Sequence, residues 1–321
     1  MNPDVTSAIG HLRAAGTLSR EHAAFFDRVA RRRLVSVRFE IRALLYVGVV
    51  LLTSGVGLLV AEHHRQIGPL AVAGGIGLVV AACFVWLIRK APAFSWEAVE
   101  SPNVALDYVL LLGLLLFASD LAYLEVQLAL LGPRWAYHLL VVAVVYLLAA
   151  YRWDSRVVLS LALTTLAAWR GISVGLIPGS SGALDATLRG NALALAALSL
   201  AAAALSVRLA RKTHFEDVYA NAGLLLGLGA LVSGTLDDEA AWTAWLLALL
   251  VVAGLVMWLA LRLGRSLYFA EGVVAAYLGL VRLLFEPFHS RASSIPFLFA
   301  ALLGAGVLVL LGVAHRRMRE R

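Results

Sequence analysis

The chain has 321 residues, of which 61% are apolar and 15% charged, and its formal net charge is +7. A soluble domain of this length could not bury so much apolar side chain in one core, so the apolar residues have to meet lipid. They come in blocks long enough to cross a hydrocarbon layer about 30 Å thick at about 1.5 Å per residue, and blocks such as 246–261 are apolar all round, which excludes the alternating strands of a membrane barrel.

The first forty residues are polar and arginine-rich. Val5, Ile9 and Leu12 form one apolar stripe, Gly16 breaks the chain, and Ser19 can cap a second helix carrying Phe26, Val29, Ala30 and Leu34. The expectation is a small basic hairpin on the membrane surface. Its Arg28, Arg31, Arg32, Arg33 and Arg38 would meet anionic headgroups, each contributing about 1 kcal/mol. A docking site for a cytoplasmic protein is the alternative reading. The segment lacks the short apolar core of a cleavable signal, so the first span is expected to act as its own insertion signal.

Spans are predicted at 41–61, 67–88, 106–131, 135–151, 157–176, 188–209, 218–236, 242–261, 267–285 and 295–314. The expected fold is an all-α polytopic membrane protein of about ten transmembrane helices, with a basic hairpin at 1–40, the bundle at 41–314 and a basic tail at 315–321. Ten spans put both ends on one side, and loop charges say which. All but six of the 27 basic residues, the exceptions being Arg65, Arg134, Arg170, Arg189, Arg282 and Arg291, fall on the side of the N-terminus. By the positive-inside rule that side is cytoplasmic. The acidic stretch Asp237, Asp238, Glu239 falls on the other. The positive charge is thus an insertion signature, and no nucleic-acid partner is expected.

All eight prolines fall in loops or at span ends, Pro133, Pro178 and Pro287 among them, so the spans read as continuous helices. That weighs against a transporter built on broken helices. Gly223 and Gly227, with Gly74 and Ala71 elsewhere, offer close helix approach.

Ionisable residues inside spans carry the functional information, because a charge at the bilayer centre costs about 2.5 to 3.5 kcal/mol. Asp120, Arg170 and Arg282 are each expected roughly 20 to 25 Å from the cytoplasmic start of their helices. Glu125 follows Asp120 by just over a turn, and His138 and Asn191 enter from the outer face. Three readings stand for this group: ion pairs in which two acids and two arginines compensate one another, a wet vestibule that takes a substrate, or side chains that snorkel to the interface. A second group near the inner face holds Asp107, Asp217, Asn221 and Glu271, with Arg208, Arg262 or Arg265 as partners. Glu271 stands about one turn inside its helix and needs a bundle-facing partner.

Catalytic patterns are weak. Gly179, Ser180, Ser181 and Gly182 spell the GxSG of intramembrane serine proteases, but the motif follows Pro178 in a linker and reads as a flexible turn. Glu62, His63 and His64 lack a third spaced ligand, and Cys83 is alone, so neither metal nor cofactor is expected.

The stretch LRAAGTLSRE at 12–21, followed by RALLYVGVVLLTSGVGLLVAEHHRQI at 42–67, resembles the bacterial membrane-protein family catalogued as domain of unknown function 2157. The resemblance covers roughly the first 90 residues. It implies a helical hairpin followed by a glycine-rich span ending in alanine, a polar residue and often an aromatic, a corner that Ala61, Glu62 and His63 fill. It implies a bacterial cytoplasmic membrane and brings no established activity, substrate or catalytic residue. Helix number and length are also similar to those of ten-helix drug and metabolite transporters. Two functions are therefore expected to compete: a non-catalytic membrane component, sensor or scaffold, with a membrane or cytoplasmic protein partner, and a carrier of a small or lipid-like solute.

Overall fold

A computed structural model describes residues 44–55, 58, 68–98, 104–171, 186–237, 241–286 and 295–319. The basic hairpin expected at 1–40, the corner at 61–64 and the turn at 179–182 lie outside them. The chain divides into two units, Met1–Glu62 and His63–Arg321. In the first unit the described helix is α1, Leu44–Gly55, whose leucines and valines are largely exposed within the chain.

The second unit is a succession of antiparallel helices: α2 (Pro69–Lys90), α3 (Val104–Leu128), α4 (Tyr137–Trp153), α5 (Arg156–Trp169), α6 (Ala186–Arg208), α7 (Glu216–Leu236), α8 (Trp242–Leu263), α9 (Ser266–Phe285) and α10 (Ile295–Arg319). Among the described residues there is no strand. Among the described residues seven helices, α2, α3 and α6 to α10, are long and apolar enough to cross a bilayer, while α1, α4 and α5 are shorter apolar helices. Their outward faces carry exposed leucine and valine, Leu78, Leu247, Val251 and Leu308 among them. Apolar surface on that scale belongs in lipid, so the chain is an integral membrane protein.

The ends of the helices follow local chemistry. Pro69 occupies the first turn of α2, where its missing N–H is not needed, and Arg89 and Lys90 in the last turn suit the helix dipole. Two residues join α4 to α5. Asp154 takes a left-handed conformation that ends α4, and Ser155 Oγ accepts the Val158 N–H to begin α5. Gly171, at φ 77°, ends α5 soon after Trp169.

Consecutive helices pack as hairpins: α2 with α3, α4 with α5, α6 with α7, and α8 with α9, to which α10 adds. Helix α7 touches α5, α6, α8 and α9 and is the hub of the bundle. The main core lies at one end, where α2, α4, α6 and α8 finish and α3, α5, α7 and α9 begin. Leu87, Leu114, Ala150, Leu159, Phe215 and Ala260 are buried there. Within it the Tyr146 hydroxyl donates to the Leu114 carbonyl at 3.0 Å, and the Tyr151 and Tyr219 hydroxyls meet at 3.0 Å. Arg89, Lys90, Arg152, Arg156, Arg208, Arg211, Lys212, Arg262 and Arg265 belong to this end, hereafter the basic end.

Lipid tails are as apolar as leucine, so helices associate in a membrane by close packing. Gly223 serves this: a Cβ there would stand 2.7 Å from Leu200 Cγ and 3.1 Å from the Ala196 carbonyl oxygen. Gly74, expected in the same role, has nothing within 4 Å of its Cβ position. The sharper case is Gly234, where a Cβ would fall inside the van der Waals envelope of the Trp245 indole. Gly234→Ala is therefore expected to cost about 1 to 3 kcal/mol through overpacking, and Gly74→Ala to leave stability unchanged or raise it. Unfolding of the purified variants in graded denaturing detergent checks the contrast.

Candidate functional site

Charge in the second unit gathers at the two ends of the bundle. At the basic end, one carboxylate ties two connections, and backbone and arginine contacts fasten a third beside them. Asp154, in the α4–α5 turn, receives Lys212 Nζ at 2.8 Å and His214 Nε2 at 2.5 Å, both from the α6–α7 connection. Lys212 is 2% exposed and Asp154 6%. The Lys212 backbone, itself left-handed, donates its N–H to the Trp96 carbonyl at 2.8 Å in the α2–α3 connection. Arg152 Nη1 donates to the Pro92 carbonyl at 3.1 Å, and Arg211 lies over the Trp96 ring. A cavity of about 20 Å³ bounded by Asp107, Arg152, Asp154 and Lys212 sits within the knot. Trp153 Nε1 and His214 Nδ1, both buried, have no protein partner.

None of Asp154, Lys212 and His214 stands out in the sequence, where Lys212 reads only as one more inner-side charge. The signal that could have found them is weak: a short charged turn between two apolar blocks, opposite another.

Alongside the knot, Arg265 joins the start of α9 to the start of α7. Its Nη2 donates to Glu216 Oε2 at 2.8 Å, its Nη1 pairs with Asp217, and Nη1 also donates to Tyr268 Oη at 2.9 Å. Partial burial opposes the guanidinium charge, but the hydrogen bonds and fields of Tyr268 and Glu216 outweigh it and hold Arg265 above its ordinary pKa. Glu216 and Asp217 occupy the first turn of α7, where the helix dipole favours acids. Of the expected inner partners, Arg265 thus takes Asp217, whereas Arg262 lies over the Trp258 ring.

Asn221 and Glu271 stand at matching positions, each the sixth residue of its helix, on α7 and α9, which Arg265 keeps in register. Asn221 Nδ2 donates to the Asp217 carbonyl, while Asn221 Oδ1 and Glu271 Oε2 are buried without a partner. Asp107 sits apart from them, in the first turn of α3 beside the knot.

At the opposite end the expected residues are distributed over separate contacts. Arg170 follows the last residue of α5 and lies outside any helix, because Gly171 stops α5 there. It pairs with Asn191 of α6, whose Nδ2 returns a bond to the Arg170 carbonyl at 3.1 Å. Arg282 bonds Glu286 one turn on at 3.1 Å and lies over the Trp242 ring. Glu125 accepts the Leu131 N–H with both carboxylate oxygens and closes the end of α3. His138 Nδ1 bonds the Trp135 carbonyl of its own turn. Asp120 Oδ1 is buried without a partner, and Asp120 Oδ2 approaches α2 at Gly77. Among the described residues, neither Asp120 nor Glu125 forms an ion pair with Arg170 or Arg282.

A further pair at this end belongs to neither expected group: Arg189 Nη1 meets Asp237 at 2.6 Å and Arg189 lies over Trp245, joining α6, the end of α7 and α8. Among the described residues no cluster of histidine, cysteine and carboxylate side chains could hold a metal ion.

The chain matches no family model, no curated protein and no solved structure.

A buried pair is most costly when one partner is removed, because the other charge stays in place uncompensated. Asp154→Asn is expected to destabilise the protein by about 3 to 5 kcal/mol. Joining Asp154→Asn with Lys212→Met should recover most of that loss. Detergent unfolding of wild type, both single variants and the double variant reads the coupling directly.

Proposed function

We propose that this chain is a non-catalytic component of a bacterial cytoplasmic membrane, a scaffold or sensor whose basic end lies on the cytoplasmic side. The observation that carries this reading is the dispersal of the opposite-end charges. Arg170, Arg189 and Arg282 each meet a polar partner close by, and Glu125 is spent on its own connection. Side chains that carry a solute converge on a shared wet path. A cavity of about 230 Å³ among the described helices is lined by apolar side chains with Ser199 and Tyr219, and by none of these charges.

In this reading α1, α4 and α5 cross the membrane with the seven longer helices, giving ten spans and placing both ends in the cytoplasm. At 17 and 14 residues, α4 and α5 are short, and local thinning of the bilayer accommodates short spans. The likeness of the first ninety residues to domain of unknown function 2157 agrees with a bacterial membrane protein whose basic N-terminal segment meets anionic headgroups or a cytoplasmic partner.

One observation favours the carrier reading. Asp120 Oδ1 and Glu271 Oε2 lie within apolar helices without a partner, and unpaired carboxylates in membranes mark ion or substrate paths.

Accessibility separates the two. Leu116, one turn deeper on α3 than Asp120, is 6% exposed. In a Cys83→Ala background, Leu116→Cys is expected to resist a membrane-impermeant thiol reagent in intact cells, while Arg134→Cys at the opposite end reacts. Ready labelling of Leu116→Cys would replace the scaffold reading with the carrier. An inert Arg134→Cys that reacts only in inverted vesicles would reverse the orientation.

A further inference from the structure

At the basic end the α6–α7 connection meets the α2–α3 connection. The Lys212 N–H donates to the Trp96 carbonyl at 2.8 Å, and the Trp96 ring stands at the surface, nearly half exposed. The Phe94 ring, equally exposed, meets it edge-on with 5.0 Å between ring centres. The Arg211 guanidinium lies 4.7 Å from the centre of the Trp96 ring. Two connections thus build an aromatic platform with an arginine laid on it.

Arg211 is exposed, as is Arg208 at the end of α6, and among the described residues no carboxylate pairs with either. Acids near them are few. Asp154 is taken by Lys212 and His214, and Glu97 is the one carboxylate among the described residues of these two connections. A guanidinium stacked on an indole keeps its planar fork of N–H donors edge-on to solvent, at a spacing that suits phosphate oxygens. Stacking also holds the fork in place beforehand, so less side-chain freedom is lost when an anion binds.

The surface beside the arginines decides the occupant. Leu205, Val207 and Leu209 lie within a turn of Arg208 and are each more than half exposed. A phospholipid carries its acyl chains directly beneath its phosphate, whereas a free phosphate ion makes no use of apolar neighbours. We infer that the Trp96–Arg211 platform, together with Arg208, binds the phosphate of an anionic phospholipid whose acyl chains run along Leu205 and Leu209. This goes beyond the scaffold or sensor reading by adding a lipid ligand, and it depends only on this end lying at a membrane surface.

Arg262 supplies the comparison. It is exposed at the same end, but it lies over Trp258 of its own helix, one turn back. The test titrates the full-length protein in detergent with phosphatidylglycerol and with phosphatidylcholine of the same chains, whose choline cation offsets its phosphate. Bound lipid is counted by native mass spectrometry. The first phosphatidylglycerol is expected to bind about tenfold more tightly than phosphatidylcholine. Arg211→Gln should weaken it by about five- to tenfold, the loss of one charge-assisted pair, and Trp96→Leu by about threefold through loss of the stacking surface. Both side chains are exposed and the Lys212–Trp96 bond is a backbone one, so unfolding in detergent should be unchanged. Arg262→Gln removes the same charge from the same end and should leave the first lipid within about twofold. Equal weakening by Arg211→Gln and Arg262→Gln would reduce the site to diffuse attraction and overturn the inference, as would wild-type binding by Trp96→Leu. Displacement of the lipid by millimolar inorganic phosphate would overturn it too, and assign the platform to a free anion.

Discussion

The carboxylate of Asp154, buried against the Lys212 ammonium and the His214 ring, is the interaction on which the basic end of the bundle is organised. It joins two hairpins through their turns. The Lys212 backbone and Arg152 then fasten the α2–α3 connection to the same point through Trp96 and Pro92. Desolvating these charges is expensive, and the pair offsets that expense only in one geometry. The gain is a single arrangement of helix ends beneath which the main core can close.

That arrangement sets a contrast between the two ends. Near the knot, helices converge on buried leucine, alanine and aromatic side chains, and Arg265 ties α9 to α7 in register. Toward the other end a smaller core of Leu228, Leu231, Leu249, Ala253 and Ala275 continues along α7, α8 and α9 only.

Much of the architecture was legible in the sequence. Apolar blocks longer than a bilayer is thick mark the long helices, and most of the basic residues fall in the connections of one end, as the positive-inside bias expects. The close approach at Gly223 was also legible, although Gly74, expected in the same role, has nothing near its Cβ position. Arg170 was misplaced within a helix because an apolar block continues past it, whereas Gly171 turns the chain there. The mutual compensation expected of Asp120, Glu125, Arg170 and Arg282 does not form among the described residues. Depth along a helix says nothing about azimuth: Glu125, Arg170 and Arg282 met nearer polar groups, and Asp120 Oδ1 met none.

By itself the sequence determined the solvent of this protein, its helical backbone and the end at which its positive charge collects. The first two follow from transfer free energies that each residue carries wherever it is placed, and the third from the uneven placing of arginine and lysine among the loops. Which helix packs on which was decided only in the tertiary structure. In water, one polar face would have shown each helix its inside, but a helix in lipid is apolar on both faces and hydropathy cannot tell the seam from the surface. The seams were chosen by shape, where glycine and alanine let backbones approach, and by the meeting of Asp154 with Lys212, 58 residues apart in sequence.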